Sequence, residues 1–367
     1  MPGITIGRFE HRIYSSATAR GRATTGSIRQ VDQLASDGKT IAMVSHGATT
    51  PTSTSVNVYY TTNYGLSWST VPGTPLTSTI WATSADASIG GIYYFDNKWI
   101  VVLGDSRIAY STNITSNWST WTITGTAQTT TGWGNLSYSP TLDPRWVVRD
   151  VANNVTRVNS TTFGTWNTTT NGIGSNCEHF TAGRLGGADV WIGMLPVGGG
   201  IHQLSGSTFQ TKTAKTYPGT VNGRALVYYP EESMWIAACD NQVIYTSPDS
   251  GSDFTWTARN VSGALGSAFP DPTSLIYIQG VGVVCGTTPT ANTAGSNEEG
   301  RVLYSKNGTT WSLISSATDS VASYGYGFGG ISHNGSALFL RAENDSGTVP
   351  RTANDGSWYT VVLVADR

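Results

Sequence analysis

The chain has 367 residues, of which only 12% are charged, and a formal net charge of −2. Charged residues usually make up about a quarter of a soluble domain, and a near-neutral coat of Thr, Ser, Asn and Gly sets up no field that would draw nucleic acid or an anionic membrane surface. No apolar run reaches transmembrane or signal-peptide length, so neither membrane insertion nor export through a cleaved signal peptide is expected.

Basic residues gather at the start. Arg8, Arg12, Arg20, Arg22 and Arg29 fall in the first thirty residues against one acid, Glu10. Arginine dominates over lysine across the whole chain, a bias found at contact surfaces, where a planar guanidinium loses less on ordering than an ammonium. Residues 1–27 therefore read as an Arg-bearing arm that docks on the rest of the chain or on a neighbour, and residues 28–367 as one repeating domain.

From there the chain is a succession of short apolar runs rich in Val, Ile, Tyr and Trp, closed by Asp-Gly, Asp-Asn and Asn-Gly turns. These are strand and hairpin signals. VDQLASDGKTIAMVS (31–45) is the first pair, followed by the inserted loop HGATTPTSTS (46–55) and the strand SVNVYYT. GGIYYFDN (90–97), KWIVVLGD (98–105), RIAYST (107–112) and WTIT (from 121) give four strands in a row. LVYYPEESMWIAACDNQVIYTS (226–247) and ISHNGSALFLRAENDSGTVPRT (331–352) repeat the plan. No helical period persists over three turns, so the chain reads as all-β.

A strand-turn-aromatic unit marks each repeat. It is clearest in YYTTNYGLSW (59–68), YTSPDSGSDFTW (245–256) and YSKNGTTW (304–311). PRTANDGSW (350–358), YSTNITSNWSTW (110–121), VNSTTFGTW (158–166) and the reduced LSGSTF (204–209) are weaker copies. The landmarks Trp68, Trp121, Trp166, Phe209, Trp256, Trp311 and Trp358 recur about every 50 residues, the period of a propeller blade. In the turn, an Asn or Asp side chain accepts from backbone amides two residues on and Gly takes the positive φ. The expected fold is a single seven-bladed β-propeller with four-stranded antiparallel blades.

The turn resembles the Asp-box, or bacterial neuraminidase repeat, Ser-x-Asp-x-Gly-x-x-Trp. TTNYGLSW (61–68) fits with Thr for Ser and Asn for Asp, SPDSGSDFTW (247–256) with a two-residue insertion and SKNGTTW (305–311) with a one-residue deletion. The resemblance implies that the boxes lie between third and fourth strands, away from the ligand face, and that the working face carries the loops between second and third strands. Those loops are longest at 46–55, with His46, Thr52 and Thr54, and at 287–300, with Thr290, Asn292, Asn297, Glu298 and Glu299. In a ring of seven these two blades are separated by one, so the loops make a candidate contact surface.

Sialidases of this resemblance use an arginine triad, a Tyr–Glu nucleophile pair and an Asp acid/base. HRIYS (11–15) keeps Arg12-Ile13 but lacks the family's following proline, and Arg224 and Arg301 sit in later repeats without the family's spacing. Only seven Glu are present, and Glu231, Glu232, Glu298 and Glu299 lie in turns or insertions. No carboxylate pair for glycoside hydrolysis stands out, and fold alone does not carry activity. The five histidines and three cysteines show no metal spacing, VGGGI (197–201) opens no helix, and Cys239 and Cys285 read as buried thiols. No cofactor is expected. WGNLSYSP (133–140) could stack on sugars or pack in the core, with packing favoured.

The expectation is a non-enzymatic virion structural protein of a bacteriophage, in a tail or other exposed attachment. It would be present in multiple copies and contact other virion proteins through the arm or one ring face, with a host-surface glycan as a further partner. The alternatives are a sialidase-type glycan-binding or glycan-cleaving propeller and a bacterial assembly-factor scaffold.

Overall fold

In a computed structural model, the repeats fold as separate four-stranded antiparallel sheets, seven of them among the described residues. The structure describes residues 9–15, 34–37, 39–47, 55–62, 69–71, 91–102, 107–116, 118–122, 133–150, 155–159, 166–168, 179–195, 200–219, 223–239, 243–261, 272–278, 282–287, 301–316, 325–333, 337–345 and 359–365. Blade 1 comprises Leu34–Ser36, Ile41–Gly47, Ser55–Thr61 and Ser69–Thr70. Blade 2 comprises Gly91–Phe95, Lys98–Val102, Arg107–Ser111 and Ser119–Thr122. Blade 3 follows with Trp133–Tyr138, Trp146–Asp150, Val155–Asn159 and Asn167–Thr168. Blade 4 is His179–Leu185, Ala188–Leu195, Gly200–Ser205 and Thr211–Lys215. Blade 5 is Gly223–Tyr229, Met234–Cys239, Val243–Pro248 and Thr257–Asn260. Blade 6 is Pro272–Ile278, Gly282–Thr287, Arg301–Ser305 and Ser312–Ser316. Blade 7 takes Gly325–His333, Ala337–Asp345 and Tyr359–Ala365 from the end of the chain and its fourth strand, β1 (Phe9–Ser15), from the beginning.

The first strands of consecutive blades touch, and that of blade 7 touches that of blade 1, so the cycle closes. Among the described residues there is no α-helix, only a single 3₁₀ turn at Pro230–Glu232. The chain is an all-β propeller.

Burial explains the composition of each strand. Second strands lie mid-blade, covered on both faces, and read as continuous apolar runs: Trp99 to Val102 and Trp235 to Cys239 are buried without a break. Successive residues feed opposite interfaces. Trp99 and Val101 join the cluster shared with blade 1, Ile100 and Val102 the one shared with blade 3. Outer strands such as Thr211–Lys215 are mostly exposed. Trp99, Trp146, Trp191 and Trp235 are among the largest fully buried side chains, and each packs toward the preceding blade.

Part of the N-terminal segment is built into blade 7. Residues 9–15 pair with Tyr359–Ala365 in a continuous antiparallel register from Phe9↔Ala365 to Ser15↔Tyr359. A ring assembled from one chain leaves its last blade with an open edge, and pairing the first strand there satisfies those backbone groups. The repeating unit therefore begins before residue 28. The topology also relocates the segment carrying Trp358. It joins the second strand of blade 7 to the third, Tyr359–Ala365, rather than the third to the fourth, and Trp358 itself lies outside the described residues.

Candidate functional site: the strand-start face of the ring

The antiparallel order gives the ring two unlike faces. First and third strands begin on one, the strand-start face; the turns joining first to second and third to fourth strands lie on the other, the turn face. The turn face is built mainly as a clamp between blades. Trp191 Nε1 donates to the Pro144 carbonyl and Trp235 Nε1 to the Arg184 carbonyl, each at 2.7 Å and each in the preceding blade. From the blade 5 turn, Trp256 Nε1 reaches the carbonyl of Thr216, just past the far end of the fourth strand of blade 4, at 2.7 Å, while Asp253 accepts from the Thr216 amide and hydroxyl, both at 2.8 Å.

Tyrosines near the ends of first strands form a second set of contacts. Tyr277 donates to Glu231 of blade 5 at 2.5 Å, and Tyr228 to Asp249 at 2.6 Å. Tyr138 sits beside Asp96, and Tyr94 near Asp37, each carboxylate in the preceding blade's turn. Burial first, and the carboxylate second, pushes all four phenols above their ordinary value. Tyr229 is pushed up to about 12 by burial and then by Glu232 and Glu231, and its hydroxyl donates to the Lys306 carbonyl.

The polar turns behave as expected in two blades. Asn113 Oδ1 accepts the Thr115 amide at 3.1 Å, and Asn307 Oδ1 the amides of Thr309 and Thr310 at 3.0 and 2.9 Å. In blade 5 the insertion changes the assignment. Asp249 turns to Tyr228, and Ser247 Oγ accepts the Thr255 amide at 2.9 Å.

Two landmarks also shift. The residue directly before the fourth strand of blade 2, where Trp166, Trp256 and Trp311 stand in theirs, is Trp118; it donates to the Ile114 carbonyl at 3.0 Å. Trp121 is inside that strand, opposite Ile108. Phe209, fully buried, meets Trp191 edge-on at 6.4 Å, as Phe254 meets Trp235 at 5.7 Å, so its counterpart in blade 5 is Phe254 rather than Trp256. Trp311 donates to the Gly308 carbonyl at 3.2 Å, Trp166 is buried, and Trp68 lies outside the described residues. Tyr138 of WGNLSYSP packs at a tilt against Trp146, ring centroids 4.3 Å apart, a packing role.

The strand-start face is where a partner could reach the ring. In blades 4 and 5 it is drawn tight around His179 and Arg224, at the starts of adjacent first strands. Burial and then the Arg224 guanidinium push the half-buried His179 imidazole down to about 4, while Arg224 is exposed. Gly223 lies where a Cβ would come 2.6 Å from Met194 Sδ and 3.0 Å from the Tyr217 hydroxyl. Hydroxyls tie the first strands together just below: Ser137 donates to the Phe180 carbonyl at 2.7 Å and Thr181 to the Leu226 carbonyl at 2.9 Å.

His46 falls within the second strand of blade 1, paired with Val56. Gly47, Ser55, Thr287 and Arg301 put the ends of both long connections on the strand-start face. Thr52, Thr54, Thr290, Asn292, Asn297, Glu298 and Glu299 lie outside the described residues, as do Arg8, Arg20, Arg22 and Arg29. Arg12 is in the outermost strand of blade 7, Arg224 in an innermost strand of blade 5 and Arg301 at the start of a third strand in blade 6, so the three do not share one strand position. Cys239 and Cys285 are buried thiols, the latter with its pKa raised by burial, and Cys177 lies outside the described residues. Among the described residues no group of three or more His, Cys, Asp or Glu side chains could hold a metal ion.

The repeated Tyr–carboxylate and Trp–carbonyl contacts escaped the sequence reading, although a signal was there. An aromatic pair brackets the first turn in blades 2, 3 and 5 as Tyr94/Trp99, Tyr138/Trp146 and Tyr228/Trp235, with ring centroids 5.0, 4.3 and 5.2 Å apart.

No protein-family profile and no curated protein matches the chain. Among solved structures, it is similar to YCF48 bound to D1 peptide, with a TM-score of 0.60 and 11% identity, covering 100% of this chain and 98% of that one. YCF48 from Cyanidioschyzon merolae matches at a TM-score of 0.47 and 12% identity, over 78% of this chain and 82% of that one. The chain is thus a β-propeller similar in fold, over its whole length, to YCF48.

Proposed function

We propose that this chain is a non-enzymatic interaction propeller that holds a polypeptide segment of a partner on its strand-start face, a scaffold of the assembly-factor kind. The observation that carries the reading is the whole-length likeness to a propeller described as bound to a peptide. The division of labour between the faces supports it. The turn face spends its polar groups on contacts between blades, whereas the strand-start face carries exposed Arg224 and the ends of the two longest connections. Loops held on a rigid ring are where binding residues concentrate.

The comparisons add nothing in favour of the virion role expected first or of an Asp-box ancestry.

Selection from a displayed library of random linear peptides tests the proposal. Peptides should be enriched whose binding Arg224→Glu abolishes and Glu232→Lys, on the turn face, leaves intact. A library that yields no binder, or binders sensitive to Glu232→Lys alone, would contradict it. Turnover of a fluorogenic sialoside would move the assignment to the enzymatic alternative.

A further inference from the structure

The far edge of β1 (Phe9–Ser15) ends its sheet, with no strand against it among the described residues. Outer strands elsewhere are short, with two residues in blades 1 and 3, four in blades 2 and 5 and five in blades 4 and 6. β1 has seven, all paired on the inner side. A long open edge is a ready template for another strand.

The sequence of β1, FEHRIYS, indicates which strand. About His11 it is self-complementary when laid antiparallel on itself. Phe9 then opposes Ile13, and Glu10 opposes Arg12, each relation occurring twice by symmetry. Opposite charges and apolar pairs directly across an antiparallel ladder are stabilising, like charges destabilising. The neighbouring registers that keep the same side chains on each face fail this criterion. A slip of one pair in either direction sets Glu10 against Glu10 or Arg12 against Arg12 on the two-fold axis. The outer strands of the other blades, STWT, TKTAK, TARN, SLISS and the two-residue pairs, contain no acid and so offer no such match.

We propose that the far edge of β1 pairs antiparallel with β1 of a second copy of this chain, forming a symmetric dimer through a continuous eight-stranded sheet about an axis at His11. The contact is isologous and closes on itself, so it stops at two copies. It leaves both strand-start faces uncommitted and is independent of what they bind.

The test is charge reversal in the full chain, read by sedimentation velocity across a concentration series. Glu10→Arg and Arg12→Glu each place like charges in both symmetry-related pairs and should weaken dimerisation by about tenfold or more. The double variant Glu10→Arg/Arg12→Glu restores complementarity and should recover the wild-type dimer. Circular dichroism melts establish that each variant is folded, and if a reversal unfolds the chain, Glu10→Gln replaces it, with weakened dimerisation again expected. A wild-type chain that stays monomeric, single variants that dimerise unchanged, or a double variant that fails to recover would each overturn the proposal.

Discussion

Trp235 Nε1 donates to the carbonyl of Arg184 across the boundary between blades 5 and 4, at 2.7 Å. Trp191 makes the same contact to Pro144 one boundary earlier. Each indole therefore seals an apolar interface and satisfies a carbonyl at its rim. Trp235→Phe keeps most of the apolar surface but strands that carbonyl, and should lower stability by about 1–3 kcal/mol. Trp235→Ala should cost about 3–5 kcal/mol. Urea unfolding curves measure both, and a phenylalanine variant matching the wild type would show that the hydrogen bond contributes nothing.

Close approach on the other side of the same boundary depends on Gly183. A Cβ there would lie 2.6 Å from both Trp235 Cζ2 and Tyr228 Cγ. Both rings are held in a packed cluster, so Gly183→Ala should cost about 1–3 kcal/mol through overpacking. Gly187, with nothing within 4 Å of its virtual Cβ but a φ of +82°, supplies the contrast. Gly187→Ala should lose stability through backbone strain while leaving the Trp235 fluorescence environment unchanged. A Gly183→Ala variant with wild-type thermal midpoint and emission would contradict the packing argument.

Alkaline pH tests the tyrosine contacts. Tyr228 and Tyr277 have folded-state pKa values raised by burial and by Asp249 and Glu231. A raised folded value means that the contribution is complete below the unfolded value of about 10 and is lost as pH climbs through the folded one. The urea midpoint should therefore decline above about pH 10, and the decline should be shallower in Tyr228→Phe/Tyr277→Phe. An identical alkaline slope in the double variant would remove these residues from the account.

Residues 1–27 should not be dispensable. Their deletion removes β1 and opens the edge of Tyr359–Ala365, so the midpoint of thermal unfolding should fall. An unchanged midpoint would mean that blade 7 does not need its N-terminal strand.

Much of the fold was legible in the sequence because short apolar runs and Asx turns are local. Asn307 and its two amides, or the run Trp235 to Cys239, need no knowledge of the rest of the chain. What the sequence hid was long-range. Nothing local in FEHRIYS says that it pairs 350 residues away with the last strand. Trp121 looked like the box aromatic because it has the right residue type, yet Trp118 three residues earlier occupies the place before the strand. The Tyr277–Glu231 contact joins two blades, so neither repeat read alone reveals it. At the candidate site, the sequence located the loop ends, but the nearness of Arg224 that helps hold His179 neutral arises only when adjacent first strands come together.

Hydrogen exchange on the full chain, with and without a peptide selected for binding, tests the central claim most directly. The account predicts new protection at the strand-start ends of blades 4 and 5, around residues 179–181, 200–202 and 223–226. Protection confined to the turns at 205–211 and 248–256, or no change at all with the peptide bound, would contradict it.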